Sequence, residues 1–116
     1  MDVARYGDFC TKAYTRNKVR ENYQKRFSIS YPNEELPAGR PLNTTPAYSI
    51  WQQQRAVFGQ GYGMEHVNYF APEGEPLLET PSFRRSNAFT AISNECHAVR
   101  TSVGINEVHN FGKYLV

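Results

Sequence analysis

The sequence predicts an α+β fold, a small three-helix piece with short strands. Three observations carry that expectation. Apolar residues return every third or fourth position in three segments, they alternate in shorter ones, and Gly- or Pro-rich stretches separate the two kinds. A chain of 116 residues is one small domain or a piece of a larger one. Its 40% hydrophobic and 21% charged content predicts a globular chain rather than a disordered one. Aromatics at 14% bring much burial area to a short chain.

The first helix is predicted from about Arg16 to Arg26, with Thr15 as N-cap. Val19, Tyr23 and Phe27 recur at i, i+4 and predict a packed face. The opposite face is basic (Arg16, Lys18, Arg20, Lys25, Arg26), with Glu21 paired to Lys25 at i+4. Ser28 to Tyr31 alternates as a short strand would, and Pro32 ends it. Residues 32–41 form a loop with three prolines and Gly39. A second helix is predicted from Thr45-Pro46, since proline at the first helical position loses no hydrogen bond. Tyr48, Trp51, Arg55 and Phe58 make its stripe, and Gly59 takes the position after its end.

Gly59, Gly61 and Gly63 read as a flexible turn, and Met64 to Phe70 as a strand closed by Ala71-Pro72. Residues 72–81 are acidic and proline-rich, the best boundary in the chain. A third helix follows Asn87, with Phe89, Ile92, Cys96, Val99 and Val103 as its apolar face and Gly104 as its stop. Val108 to Val116 reads as a strand that breaks off at Leu115-Val116, as a partial reading frame would.

Composition excludes several classes. No apolar run approaches the roughly 20 residues of a membrane span. Met1 to Arg5 is not followed by the apolar stretch of a secretory signal. Two cysteines make no disulfide framework, so a reducing compartment is expected. A net charge of +2 does not by itself imply nucleic acid.

Candidate chemistry resolves into structural readings. The Gly59-Gln60-Gly61-Tyr62-Gly63 run lacks the strand-before, helix-after order of a dinucleotide fingerprint, so it reads as a helix-ending turn. Cys96-His97 resembles a nucleophile and base, but neighbours on a helix point about 100° apart. Cys96 is therefore expected in the core. His66, His97 and His109 share no ligand spacing with either cysteine, which argues against zinc. His66 and His109 read as solvated or locally hydrogen-bonded. Arg84-Arg85 reads as a salt bridge to Glu79 or a solvated loop, and the basic helix as a solvated face rather than a nucleic-acid contact.

Consecutive residues add a resemblance. Arg40-Pro41-Leu42-Asn43-Thr44-Thr45-Pro46-Ala47-Tyr48 resembles the R-P-x-x-x-[TS]-P-x-Y of the central segment of dimethylglycine and sarcosine dehydrogenases. The similarity continues through Ala56-Val57-Phe58-Gly59, Tyr62 to His66, and Tyr69-Phe70-Ala71-Pro72. Ser82-Phe83-Arg84-Arg85-Ser86-Asn87-Ala88-Phe89 resembles the family's S-F-R-R-[ST]-N-x-F junction. Glu95 to Arg100, Val103 to Ile105 and Phe111 to Tyr114 resemble the opening of the domain shared with glycine-cleavage T-protein. Arg5-Tyr6-Gly7 and Lys18 to Tyr23 match the approach to the central segment. Tyr69 stands where the family commonly has Trp, and Glu107-Val108-His109 where Asp-x-Ser is usual.

The resemblance implies a parent enzyme of three parts: an FAD domain, this central segment, and a tetrahydrofolate-binding domain. It implies oxidative demethylation of dimethylglycine or sarcosine, with the one-carbon unit passed to tetrahydrofolate or lost as formaldehyde. On that basis residues 1–27 are the tail of the FAD domain, 28–81 the FAD-dependent oxidoreductase central domain, and 82–116 the truncated start of the T-protein-like domain. The chain is then a connector, inert alone, located in the cytoplasm or, in a eukaryote, the mitochondrial matrix. FAD and tetrahydrofolate belong to the parent and are not expected to bind this chain alone. No catalytic, cofactor-binding or metal residue is assigned. The expected partners are the neighbouring FAD and folate-binding domains, in the same chain or in trans, with no membrane. Trp51, Phe58, Tyr69 and Phe70 are expected to pack against those neighbours. The alternative is a stand-alone accessory subunit, or a nucleic-acid- or protein-binding module without catalysis.

Overall fold

An antiparallel hairpin with one helix laid against it holds the core. The computed structural model describes residues 7, 8, 10–108 and 115. Within them lie α1 (Lys12–Gln24), α2 (Tyr48–Gln53), β1 (Ala56–Gly61), β2 (Met64–Phe70) and α3 (Ala88–Thr101). Three helices and a two-stranded antiparallel sheet make a small α+β unit, as the spacing predicts.

The hairpin turns at Tyr62-Gly63, with φ of 52° and 80°. Two positive φ values are what a two-residue turn of the I′ type requires. Glycine adopts this at no steric cost, whereas Tyr62 bears a strain of roughly 1–2 kcal/mol. The pairing carries one irregularity. Val57 faces Tyr69 and Phe58 faces Val67, so Asn68 is the extra residue of a bulge.

Below the hairpin, Val57, Tyr69 and Ala71 meet Ala88 and Ala91 of α3. The two alanines lie at i and i+3, and their small side chains bring the helix backbone close to the sheet. Tyr69 is the large side chain sealed there, 2% exposed. One helical turn on, Glu95 accepts the Phe70 N–H at 2.9 Å, tying α3 to β2. At the other end, Trp51 of α2 packs edge-on against Phe70, with ring centroids 5.9 Å apart.

Several sequence expectations are corrected. The first helix begins four residues early, because Thr11 rather than Thr15 caps it, its hydroxyl accepting the Tyr14 N–H. Its Val19-Tyr23-Phe27 stripe is exposed, Phe27 by 92%. Glu21 pairs with Lys18, and Lys25 reaches Glu34 at 2.6 Å instead. Residues 28–31 form no strand. The helix exit continues as turns, with Ser28 N–H and hydroxyl both on the Lys25 carbonyl. Tyr31 stacks instead on Phe83, centroids 4.7 Å apart.

The second helix is short. Thr45 is buried and contributes its carbonyl to Tyr48 N–H, while Ala47 holds the cap position without a side-chain bond. The chain leaves the helix after Gln53, and Arg55 takes a left-handed φ of 66°. Arg55 is held there by exchange of backbone and side-chain hydrogen bonds with Ala71. Residues 56–61 then pair with β2, so Gly59 lies within a strand and not after a helix. Ladder pairing and burial override the helical stripe. β2 keeps its predicted bounds, Met64–Phe70. α3 is a helix, but Phe89, Ile92, Cys96, Val99 and Val103 are exposed, and Ala88 and Ala91 are its buried residues. It stops at Thr101, before Gly104. Val108 has no regular structure. Residues 109–114 and 116 of the expected last strand lie outside the described residues.

Two substitutions in the hairpin have opposite expected signs. Tyr69→Ala empties the core and costs about 3–5 kcal/mol. Tyr62→Asn places a residue suited to positive φ in an exposed turn and stabilises by roughly 0.5–1 kcal/mol. Urea midpoints of the two variants against the unmodified chain check both.

Candidate functional site

The polar centre of the molecule is built where the loop before α2 crosses the hairpin. Asn43 forms a parallel bridge with Met64, and its carbonyl accepts the Glu65 N–H at 2.8 Å. That crossing delivers Arg40 to Glu65. Arg40 Nε donates to Glu65 Oε1 at 2.9 Å and Nη2 to Oε2 at 2.6 Å, a two-pronged pair. Nη2 also donates to the Phe58 carbonyl at 2.9 Å, and Nη1 to Glu35 at 3.3 Å. The side chains are 11% and 2% exposed. A buried charge pair is tolerated only when its donors and acceptors are met in this way.

Electrostatics follow from the packing. The hydrogen bonds to Glu65 push the Arg40 guanidinium up, against the opposing effect of burial. Burial pushes the Tyr48 hydroxyl up, and the Glu65 carboxylate adds to it. Burial likewise raises Tyr69, with the carboxylate of Glu79 adding; a hydrogen bond from the Asn87 side chain pulls the other way. At the surface, the Lys25 ammonium holds Glu34 below the usual carboxylate range, helped by the Tyr31 N–H.

Two hollows flank β2. One, of about 860 Å³, lies between α2, β2 and the segment after α3. There Trp51 Nε1 donates to Glu107 at 2.8 Å. The other, of about 530 Å³, is polar and lies between residues 33–35, the hairpin and Glu79.

The residues singled out in the sequence do not gather in either hollow as a catalytic set. Cys96 is exposed, which corrects its expected place in the core. His97 shares the exposed side of α3, and its carbonyl accepts from Thr101. His66 lies on β2, half-buried and not solvated at Nδ1, which is enclosed and has no hydrogen-bond partner. His109 lies outside the described residues. Arg84 and Arg85 are exposed; Arg85 lies 3.9 Å from the Phe89 ring centre, and Glu79 accepts from Ser86. Among the described residues, no group of three His, Cys, Asp or Glu is placed to hold a metal ion. Trp51, Phe58, Tyr69 and Phe70, expected to face neighbouring domains, pack within the chain, Phe58 on Tyr48 at 4.4 Å.

Arg40 and Glu65 escaped the sequence reading as a pair. They are 25 positions apart, and no local periodicity links them. The available signal was one acidic residue inside the alternating Met64–Phe70 run.

Comparison with known proteins separates the two sides of this crossing. The FAD dependent oxidoreductase central domain matches residues 1–45, and the GCVT N-terminal domain matches residues 47–116. The mitochondrial dimethylglycine dehydrogenases of Rattus norvegicus and Homo sapiens are 33% and 34% identical, each over 98% of the chain. The 4-methylaminobutanoate oxidase (formaldehyde-forming) of Paenarthrobacter nicotinovorans is 26% identical over the whole chain. The chain spans only 13–14% of the length of these relatives. Arg40 and Glu65 therefore lie on opposite sides of the junction between the two matches.

Removing one member of the pair should cost far more than removing both. Arg40→Met leaves the Glu65 carboxylate buried and is expected to cost about 3–5 kcal/mol, while Arg40→Met with Glu65→Leu recovers most of it. A double-mutant cycle in urea measures this. The tyrosines give a pH signature. A hydroxyl raised in the folded state contributes stability that is whole below its unfolded pKa of about 10 and is lost as pH rises through the folded value. Stability should fall above about pH 10, and less steeply in Tyr48→Phe, as urea midpoints across that range would report.

Proposed function

Because the chain belongs to the FAD-dependent dimethylglycine/sarcosine dehydrogenase family, we propose that it is the seam of an enzyme that oxidatively demethylates N-methylated glycines. In this reading the one-carbon unit passes to tetrahydrofolate. The observation that supports it best is the Arg40–Glu65 pair. It clamps the oxidoreductase-matched segment onto the GCVT-matched hairpin at the junction of the two families. Chemistry divided between two domains needs those domains held in fixed relation.

The residues present do not fit a flavin's phosphates. The glycine run forms a strand and a hairpin turn, whereas a pyrophosphate cradle needs a strand leading into a helix N-terminus. We therefore assign flavin and folate to other parts of the assembly and this chain to positioning. Those parts lie in the same polypeptide or act in trans, and the chain by itself is inert. In this reading the seam lies where the two matched stretches meet, between residues 45 and 47. Among the described residues, no helix is long and apolar enough to cross a membrane. The dimethylglycine dehydrogenase relatives are mitochondrial, and we assign a matrix location in a eukaryote and the cytoplasm otherwise.

The substrate class is testable directly. The product of the open reading frame that encodes the chain, purified with its flavin, is mixed anaerobically with dimethylglycine, sarcosine or 4-methylaminobutanoate. We expect the visible flavin band to bleach with a methylated glycine, and added tetrahydrofolate to suppress formaldehyde release. Absence of bleaching with all three would overturn the reading.

A further inference from the structure

One side of α1 has no cover. The helix is 13 residues long and buries none of them. A helix of that length is marginal in water by itself and relies on what packs against it. One side rests on the loop that follows. There the Lys18 ammonium donates to the Leu36 carbonyl, Glu21 accepts the Ala38 N–H at 2.9 Å, and the Tyr14 ring lies against Gly39. Steps of about 100° put Lys12, Arg16, Val19, Arg20 and Tyr23 on the opposite side, and all five are exposed. Arg26 and Phe27 continue that side past the helix end, the Arg26 guanidinium lying 5.4 Å from the Tyr23 ring centre and 5.5 Å from that of Phe27. Val19, Tyr23 and Phe27 are 55%, 68% and 92% exposed.

The charge of this side is of one sign. Lys12, Arg16, Arg20 and Arg26 are cationic, and none of them forms an ion pair among the described residues. Glu21 is the single acid of the helix, and it is turned to the loop. Cations without a counter-charge fit an acidic partner. The apolar stripe between them fits a protein rather than a polyphosphate, because aliphatic Val19 has nothing to offer a phosphate, whereas apolar residues at i, i+4 are how a helix seats in a protein groove. A notch of about 280 Å³ between Val19, Asn22, Tyr23 and Arg26 gives room for an apolar side chain of that protein. α1 lies in the stretch matched to the oxidoreductase central domain, which brings no residue to the main core. The chain spans 13–14% of its relatives, so most of their length lies outside the matched stretch. We propose that the outer side of α1 is the docking surface for an acidic strip with an apolar centre on the flavin-bearing part of the enzyme. The inference rests on the reading of the chain as a seam and adds the surface by which the oxidoreductase side of that seam is held.

The product of the open reading frame that encodes the chain, assembled with its flavin-bearing part, is treated with nuclease and pulsed with hydroxyl radicals. Mass spectrometry reads the oxidation of Tyr23 and Phe27 against the urea-unfolded product. Docking predicts rates about tenfold below the unfolded ones, although both rings are open in the chain itself. Arg16→Glu with Arg20→Glu should raise them about threefold or more, because like charges then face each other, and Arg16→Lys with Arg20→Lys should leave them low. A carbodiimide, which joins an ammonium to a carboxylate in contact with it, should link Lys12 to an Asp or Glu of the flavin-bearing part. Oxidation of Tyr23 and Phe27 near the unfolded rate would overturn the proposal. So would protection that survives the charge reversal, a Lys12 link to a second copy or to the GCVT-matched residues, or the absence of any Lys12 link to the flavin-bearing part. Protection seen only when nuclease is omitted would assign the surface to nucleic acid and overturn it as well. If the charge-reversed variant fails to assemble, the unmodified rates and the Lys12 link still decide the matter. None of these readouts needs turnover. Flavin bleaching with α1 open sinks the docking alone, and a protected α1 without bleaching sinks the substrate reading alone.

Discussion

The buried pair between Arg40 and Glu65 is the constraint on which the arrangement of this molecule depends. Glu65 sits in the middle of a hairpin whose other buried positions are apolar, and it is 2% exposed at its side chain. An isolated carboxylate there would be untenable. Only a guanidinium, with donors in a fixed fork, can meet both oxygens and still reach the Phe58 carbonyl and Glu35. The residues around position 40 must therefore lie across the hairpin. The Asn43 carbonyl on the Glu65 N–H sets their depth. Lysine at position 40 would satisfy charge but not geometry.

This clamp explains how two families of sequence share one small body. The main core (Val57, Tyr69, Ala71, Ala88, Ala91) lies wholly within the GCVT-matched residues. The oxidoreductase-matched side brings no residue to that core. It is attached by polar contacts instead: Arg40 on Glu65 and the Phe58 carbonyl, and the Asn43 carbonyl on the Glu65 N–H. Meanwhile α1 leaves Val19, Tyr23 and Phe27 in solvent. The radius of gyration, 15.9 Å, exceeds the roughly 13 Å of a compact domain of this length. Apolar faces on both α1 and α3 without a cover fit a seam better than a self-sufficient domain.

What could be read in the sequence follows from the range of the forces involved. β2 was legible at both ends because a glycine turn and Ala71-Pro72 bracket an alternating run. α3 was legible as a helix because its spacing is local. Its buried side was not, because the large apolar residues lie on the exposed face, whereas Ala88 and Ala91 mark the face that the hairpin covers. The first half of β1 reads as helix and Gly59 to Gly61 as a turn, because Tyr48, Trp51, Arg55 and Phe58 keep helical spacing across the left-handed break at Arg55. That break is held by Ala71, sixteen residues away, and nothing within the window of periodicity reveals it. The polar centre was illegible for the same reason, since a charge pair 25 residues apart has no pattern.

The bulge connects this fold to its polar hollow. Without it, Phe58 would face Asn68, and the register of every later pair would shift by one. With it, Phe58 faces Val67, Gly59 faces His66, and Gln60 faces Glu65. Asn68 is released from the ladder and stands against Gly59, where no side chain obstructs it. The same slip puts Glu65 in reach of Arg40 and His66 opposite Gly59. A single inserted residue thus sets the clamp at the junction and the place of Asn68 over Gly59. Bulges redirect side chains at the cost of a ladder bond. Here the redirected groups are polar and buried, which is an arrangement that packing alone would select against.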